Sequence, residues 1–159
     1  MSLDDWILAL HVLSAFALVG AVLLFWILVV AVRRTDAPEA TARLEPAARL
    51  GNAVGAAGSV GTLLFGLWLA FSVGGYDIWD GWIVAALVLW ALLGWAGGRA
   101  GKAYSRGLEQ AKELLASGHT SPSAELAALN PTAEGIRMHA LSSALVVLLL
   151  VDMIWKPGA

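Results

Sequence analysis

Three ionisable side chains of this 159-residue chain, His11, His139 and Asp152, fall inside long apolar stretches. A charge or an imidazole in a bilayer core is costly, so each is a functional candidate by default. His11 could carry a proton, hold a hydrogen bond, or offer a ring nitrogen to a metal. Counted at 1.5 Å per residue, it lies about 9 Å inside the start of its helix, and Asp152 about 5 Å from Trp155 at the end of the last one. The two are at similar depth, so an Asp–His pair becomes available if their helices adjoin. One reading is a proton-handling or ligand-binding site with His11 at its centre and Asp152 orienting it. The other has His11 as a hydrogen bond between helices and Asp152 as an interfacial residue facing water.

Asn52, Ser59 and Thr62 add polar groups along the second helix, and His139 adds one near the start of the fourth. These six residues form the candidate polar site. His139 is about 15 Å in depth from His11, so the two cannot ligate one haem iron within a straight-helix monomer. His119 lies in a loop. A single axial His11, or His11 paired across a dimer axis, stays open. The chain has no Cys and only Met1, Met138 and Met153 as soft ligands. Disulfides and thiolate chemistry are thereby excluded, and no metal is assigned. No catalytic Ser-His-Asp order, phosphate loop or metalloprotease motif is present.

The elements that carry these residues follow from hydropathy. The chain is 59% hydrophobic and 14% charged, against about 25% charged in a soluble domain. Mean hydropathy is +0.75. The windows Trp6 to Val32, Leu50 to Tyr76 and Gly81 to Gly98 hold no charge, and Met138 to Trp155 holds only Asp152. A helix needs about 20 apolar residues to cross a bilayer, and lipid leaves backbone groups no partner outside a helix or a closed barrel. The pattern predicts an all-α integral membrane four-helix bundle in one domain, 1–159. Its spans are about 5–32, 48–73, 79–103 and 133–155. The first window has an acidic flank, Asp4 and Asp5, and is expected to be a permanent span and not a cleaved signal.

Nine of the ten Lys and Arg fall in or beside the loops between spans one and two and between spans three and four; only Lys156 lies elsewhere. The positive-inside rule therefore places loops 33–47 and 104–132 in the cytoplasm and both termini on the outer side of a cytoplasmic (inner) membrane, N-out/C-out. Trp6, Tyr76, Trp79, Trp82 and Trp155 then form the outer aromatic belt. Helix formers from Ser105 to Ala116 predict a cytoplasmic extension after helix three, and Ser121 or Ser123 is positioned to cap a short helix over Ala124 to Leu129. The mixed charge of Arg33 to Arg49 fits a solvated segment near headgroups and excludes a nucleic-acid partner.

Small residues set the expected packing. Asn52, Gly55, Ser59, Thr62, Gly66 and Ala70 follow one face of helix two, with Gly51, Gly58 and Gly61 beside them. Helix three carries Gly94, Gly97, Gly98 and Gly101. Small residues let membrane helices approach closely. With only a short turn between them, helices two and three are expected to form a tight hairpin closed glycine to glycine.

The opening of helix one, Leu10-His11-Val12-Leu13-Ser14-Ala15 followed by Val19-Gly20-Ala21, resembles an uncharacterised bacterial family of four-span integral membrane proteins. It is more distantly similar to copper-resistance protein D-like domains and to membrane-bound protoporphyrinogen oxidases, although Leu18-Val19 stand where those families place a Trp. The resemblance implies that His11 could bind haem. Three functions are then in play: a structural or interaction module packing with itself or a membrane partner, a haem- or metal-binding redox protein using His11, and a solute or ion pathway in a homo-oligomer.

Overall fold

The computed structural model describes residues 2–35, 37–72, 76–130 and 132–157. Among them every regular element is a helix: α1 (Leu3–Arg33), α2 (Pro38–Ala42), α3 (Glu45–Ser72), α4 (Gly81–Ala116), α5 (Ala124–Leu129) and α6 (Ala133–Trp155). Four are long and apolar enough to cross a membrane: α1, α3 with the preceding α2, α4, and α6 with the preceding α5. This is a multi-pass membrane architecture. Residue 73, where the second expected span ends, and residue 36 of the first loop lie outside the described residues.

Side-chain caps start three of the helices. Ser2 and Asp5 close a capping box on α1, and Thr132 Oγ1 accepts from Gly135 N at 3.0 Å to start α6. Of the two serines expected before α5, Ser123 is the one that caps it. Each bond satisfies an orphan N–H of a helix's first turn. α4 runs unbroken for 36 residues, about 54 Å at 1.5 Å per residue and well beyond a bilayer core of about 30 Å. The short helices α2 and α5 pack on its far half.

The pairing of helices differs from the expected one. α3 packs along α1 and α4 along α6, whereas α3 and α4 touch sparsely. The α3 glycines explain this. A Cβ at Gly58 would meet Leu18 N at 2.6 Å and the Ser14 carbonyl at 2.8 Å, and one at Gly55 would meet Ala21 Cβ at 3.1 Å. The small face of α3 is thus already filled by the backbone of α1. Gly94, Gly98 and Gly101 of α4 have nothing within 4 Å of a Cβ, so no glycine-to-glycine closure exists between α3 and α4. One of their few links is Trp90 Nε1 donating to the Ser59 carbonyl at 3.1 Å.

The central core joins Leu18 of α1, Leu93 and Ala96 of α4, and Leu145 and Val146 of α6. A second cluster, Ala70, Trp82 and Ile83 with Tyr76 and Met153 against it, sits at the end carrying Asp4. Trp82 is 5% exposed and belongs to that cluster. It is therefore removed from the expected aromatic belt, because its position at the head of α4 faces Ala70 and not lipid. Trp6, Trp79 and Trp155 are exposed as a belt requires.

Candidate functional site

α1 and α6 are joined at one end and parted at the other. Near the Arg33 end, His139 Nε2 lies 3.2 Å from the Val22 carbonyl. That carbonyl can only accept, so the hydrogen on His139 is on Nε2 in this contact. Trp26 Nε1 donates to Ser143 Oγ at 2.9 Å, and Ser143 Oγ donates to the His139 carbonyl. Phe25, Trp26 and Tyr104 surround the imidazole, with ring centroids 4.7 to 6.4 Å away. His139 is a buried bond between helices.

Toward the Asp4 end a cavity of about 700 Å³ separates the two helices, with α3 as its third wall. Binding pockets for small organic molecules fall at about 300–1,000 Å³ and are mostly apolar with a few placed polar groups. The lining runs on α1 from Asp4 through His11 to Val19 and on α6 from Lys156 to Val146. These are depths of about 22 and 15 Å at 1.5 Å per residue. Phe16 and Ile154 border it and are 70% and 72% exposed. The cleft therefore opens sideways, where a bilayer would lie.

His11 stands midway along this cleft. A Cβ on Gly66 would lie 2.9 Å from His11 Cε1, 3.3 Å from Nδ1 and 3.9 Å from Nε2. The Nδ1 edge of the ring therefore rests against α3, and Nε2 is turned away from it. Only a glycine at 66 leaves room for this placement. Nδ1 is buried and makes no hydrogen bond; the Thr62 backbone faces the ring without closing one. Thr62 also lines the cavity, and its hydroxyl donates to the Gly58 carbonyl at 2.7 Å.

Of the six candidate polar residues, His11 and Thr62 share this cavity. Asp152 does not line it; its carboxylate is buried, with Oδ2 unpartnered, so the Asp–His pair is not formed. Ser59 offers its carbonyl to Trp90. Asn52 lines a smaller cavity of about 180 Å³ at the opposite end, with Tyr104, Thr41 and Asn130. Three cavity residues escaped the sequence reading as site residues. Met153 is adjacent to Asp152 but faces the cleft. Lys156 and Trp82 line its mouth. Trp82 Nε1 is a buried donor without a partner. Only the sidedness of α6, on which Met153 and Asp152 occupy different faces, could have signalled this.

Chemically the arrangement is an apolar cleft with one imidazole, one thioether and one indole ring, bordered at its mouth by Asp4, Asp5 and Lys156. Among the described residues no group of three or more His, Cys, Asp or Glu could hold a metal ion. Comparison with protein-family models, with curated proteins and with solved structures finds no match.

Proposed function

We propose that the protein is a membrane-embedded binding protein that takes one amphiphilic molecule from the outer leaflet into the cleft between α1, α3 and α6. The observation that carries this reading is the side-opening cavity of about 700 Å³ with His11 midway along it. A module serving only to pack helices has no need of such a space, and lipid-filled gaps of this size are not lined by an imidazole without cost. The orientation rests on charge: the Arg- and Lys-rich loops belong in the cytoplasm, which puts the Asp4 end in the outer half of a bacterial inner membrane. His11 anchors one polar group of the ligand, and the walls from Ala15 to Val19 and from Val146 to Leu150 hold its apolar part.

A second reading is favoured by one observation: His11 and Met153 line the same cavity. An imidazole and a thioether form a known axial pair for haem iron. If haem is the ligand, His11 and Met153 would hold the iron and Lys156 would face a propionate; the group itself would supply one-electron chemistry.

One preparation decides between them. The protein is purified in mild detergent from haem-supplemented cells, its spectrum recorded, and its bound organic molecules extracted and weighed, beside Ala15→Trp and His11→Ala. The amphiphile reading predicts about one lipid-like molecule per chain, lost in Ala15→Trp, and no Soret band. A Soret band lost in His11→Ala establishes the haem reading instead. A colourless protein with no extractable molecule contradicts both.

A further inference from the structure

The mouth of the cleft holds opposite charges that do not pair with each other. Asp4 and Asp5 line it from the first turn of α1 and Lys156 from the end of α6. The ion pairs among the described residues all lie elsewhere. The Lys156 ammonium is held in place from its own side: it donates to Tyr76 Oη at 3.2 Å and stands 4.7 Å and 5.1 Å from the centroids of Tyr76 and Trp82. A lysine free to follow solvent would not be fixed in this way.

Beside it, Trp82 is 5% exposed, lines the same cavity, and its Nε1–H has no acceptor. That N–H is closed off from the cavity, and what Trp82 offers the mouth is the ring on which the ammonium stands. Lys156 thus calls for an anionic group. Across the mouth, Asp5 already accepts from Ser2 N at 2.6 Å in the α1 capping box, and with Asp4 beside it the acidic side calls for a cation. About 10 Å deeper, by helical rise from Asp4, His11 can serve one neutral polar group, and the apolar walls begin below it.

Resting on the amphiphile reading, we infer that the cleft selects a zwitterionic phospholipid with a primary amine head, of the phosphoethanolamine class. The ammonium lies at Asp4 and Asp5, the phosphate at Lys156, the glycerol or ester region at His11, and one chain runs down to Leu18 and Val146. The order of groups in the cleft, charge then neutral polar then apolar, is the order in such a lipid. A neutral lipid leaves the charges of the mouth unused. An anionic lipid meets Asp4 and Asp5 unfavourably.

The test is a thermal-unfolding titration of delipidated protein in detergent, since a ligand bound only by the folded state raises the midpoint with concentration. The ligands are dioctanoyl lipids with phosphoethanolamine, phosphoglycerol or no head (diacylglycerol), and free phosphoethanolamine without a chain. The inference predicts that the phosphoethanolamine lipid acts at about a tenfold lower concentration than the other two lipids. The chainless compound has no effect. Asp4→Asn narrows the gap to phosphoglycerol, and Lys156→Gln narrows the gap to diacylglycerol. Equal potency of the three lipids in the unmutated protein overturns the headgroup assignment and leaves the amphiphile reading standing. No stabilisation by any lipid overturns both. An effect of free phosphoethanolamine equal to the lipid's makes the site one for a soluble phosphate ester and also overturns the assignment.

Discussion

Gly58 and Gly98 are the same residue in two membrane helices, and the structure gives them opposite weights. A Cβ at Gly58 runs into the backbone of α1, whereas at Gly98 it meets nothing within 4 Å. Backbone atoms cannot swing aside, so Gly58→Ala must push α1 and α3 apart. Its expected cost is about 1–3 kcal/mol, the range for overpacking a well-filled site. Gly98→Ala is expected to be neutral or slightly stabilising, since alanine is the better helix former. Denaturation of the two variants in mixed detergent micelles separates these outcomes; equal loss in both would refute the packing assigned to α3. Gly66 is an intermediate case, because the obstacle is the His11 side chain. Gly66→Ala should leave the fold intact and drive the imidazole into the cleft, lowering ligand occupancy. The sequence marked Thr62, Gly55 and Gly66 as features of one side of helix two, which is α3, and His11 as a separate polar group of α1. It could not say which neighbour fills that side, because small residues fit any close partner equally well.

The elements divide into the pairs α1 with α3 and α4 with α6, tied across at the Arg33 end by Trp26 to Ser143 and His139 to the Val22 carbonyl. Ser143→Ala removes one of these ties. The expected loss is about 0.6 kcal/mol and at most about 1.7, the range measured for hydrogen bonds between membrane helices. Such a tie fixes where α1 and α6 meet and hence where they part. At the same end, α2 and α5 are pinned on the extension of α4. Asn130 Nδ2 donates to Thr41 Oγ1 at 3.2 Å. A Cβ at Gly107 would collide with Asn130 Oδ1, so Gly107→Ala should release α5 and expose α2. Glu45 completes the cap. Lys112 Nζ donates to its carboxylate at 2.5 Å and Arg49 at 2.6 Å, and these hydrogen bonds, Lys112 first, hold its pKa below the usual carboxylate value. The sign follows directly. A carboxylate with a lowered folded-state pKa stabilises above its unfolded value, about 4.3 for Glu, and that contribution is lost as pH falls through the folded value. Hydrogen-exchange protection of the Thr41 and Arg43 amides, which donate to the Ala37 and Glu39 carbonyls, should be constant from neutral pH down to about 5 and fall only below about 4. Lys112→Gln should weaken it already at neutral pH. A protection factor that tracks pH between 7 and 5 would rule out this role for Glu45.

At the scale of the molecule, hydropathy located the four long helices, with ends within about three residues except at the far end of α4. Lipid admits few alternatives to a long apolar helix, so this level is written plainly in composition. The continuation of α4 to Ala116 was also legible, from helix formers and charge spacing. Helix neighbours were not. The short link after Ser72 suggested that α3 and α4 would close together, yet a short link constrains only their ends, and packing along their length was decided by the backbone of α1. The cavity was invisible for the same reason. It is a space left where α1 and α6 part, and no residue encodes a space by itself. Trp82 and Met153 took on meaning only once that space was placed beside them.

The central claim is that this space holds one amphiphile. Its most direct test is a native mass spectrum of the intact protein released from detergent, beside Ala15→Trp, at collision energies that strip detergent and loosely held lipid. The account predicts a single retained adduct of lipid mass on the unmodified protein and a bare chain for the variant. A bare chain in both, or a ladder of adducts that Ala15→Trp leaves unchanged, would contradict it.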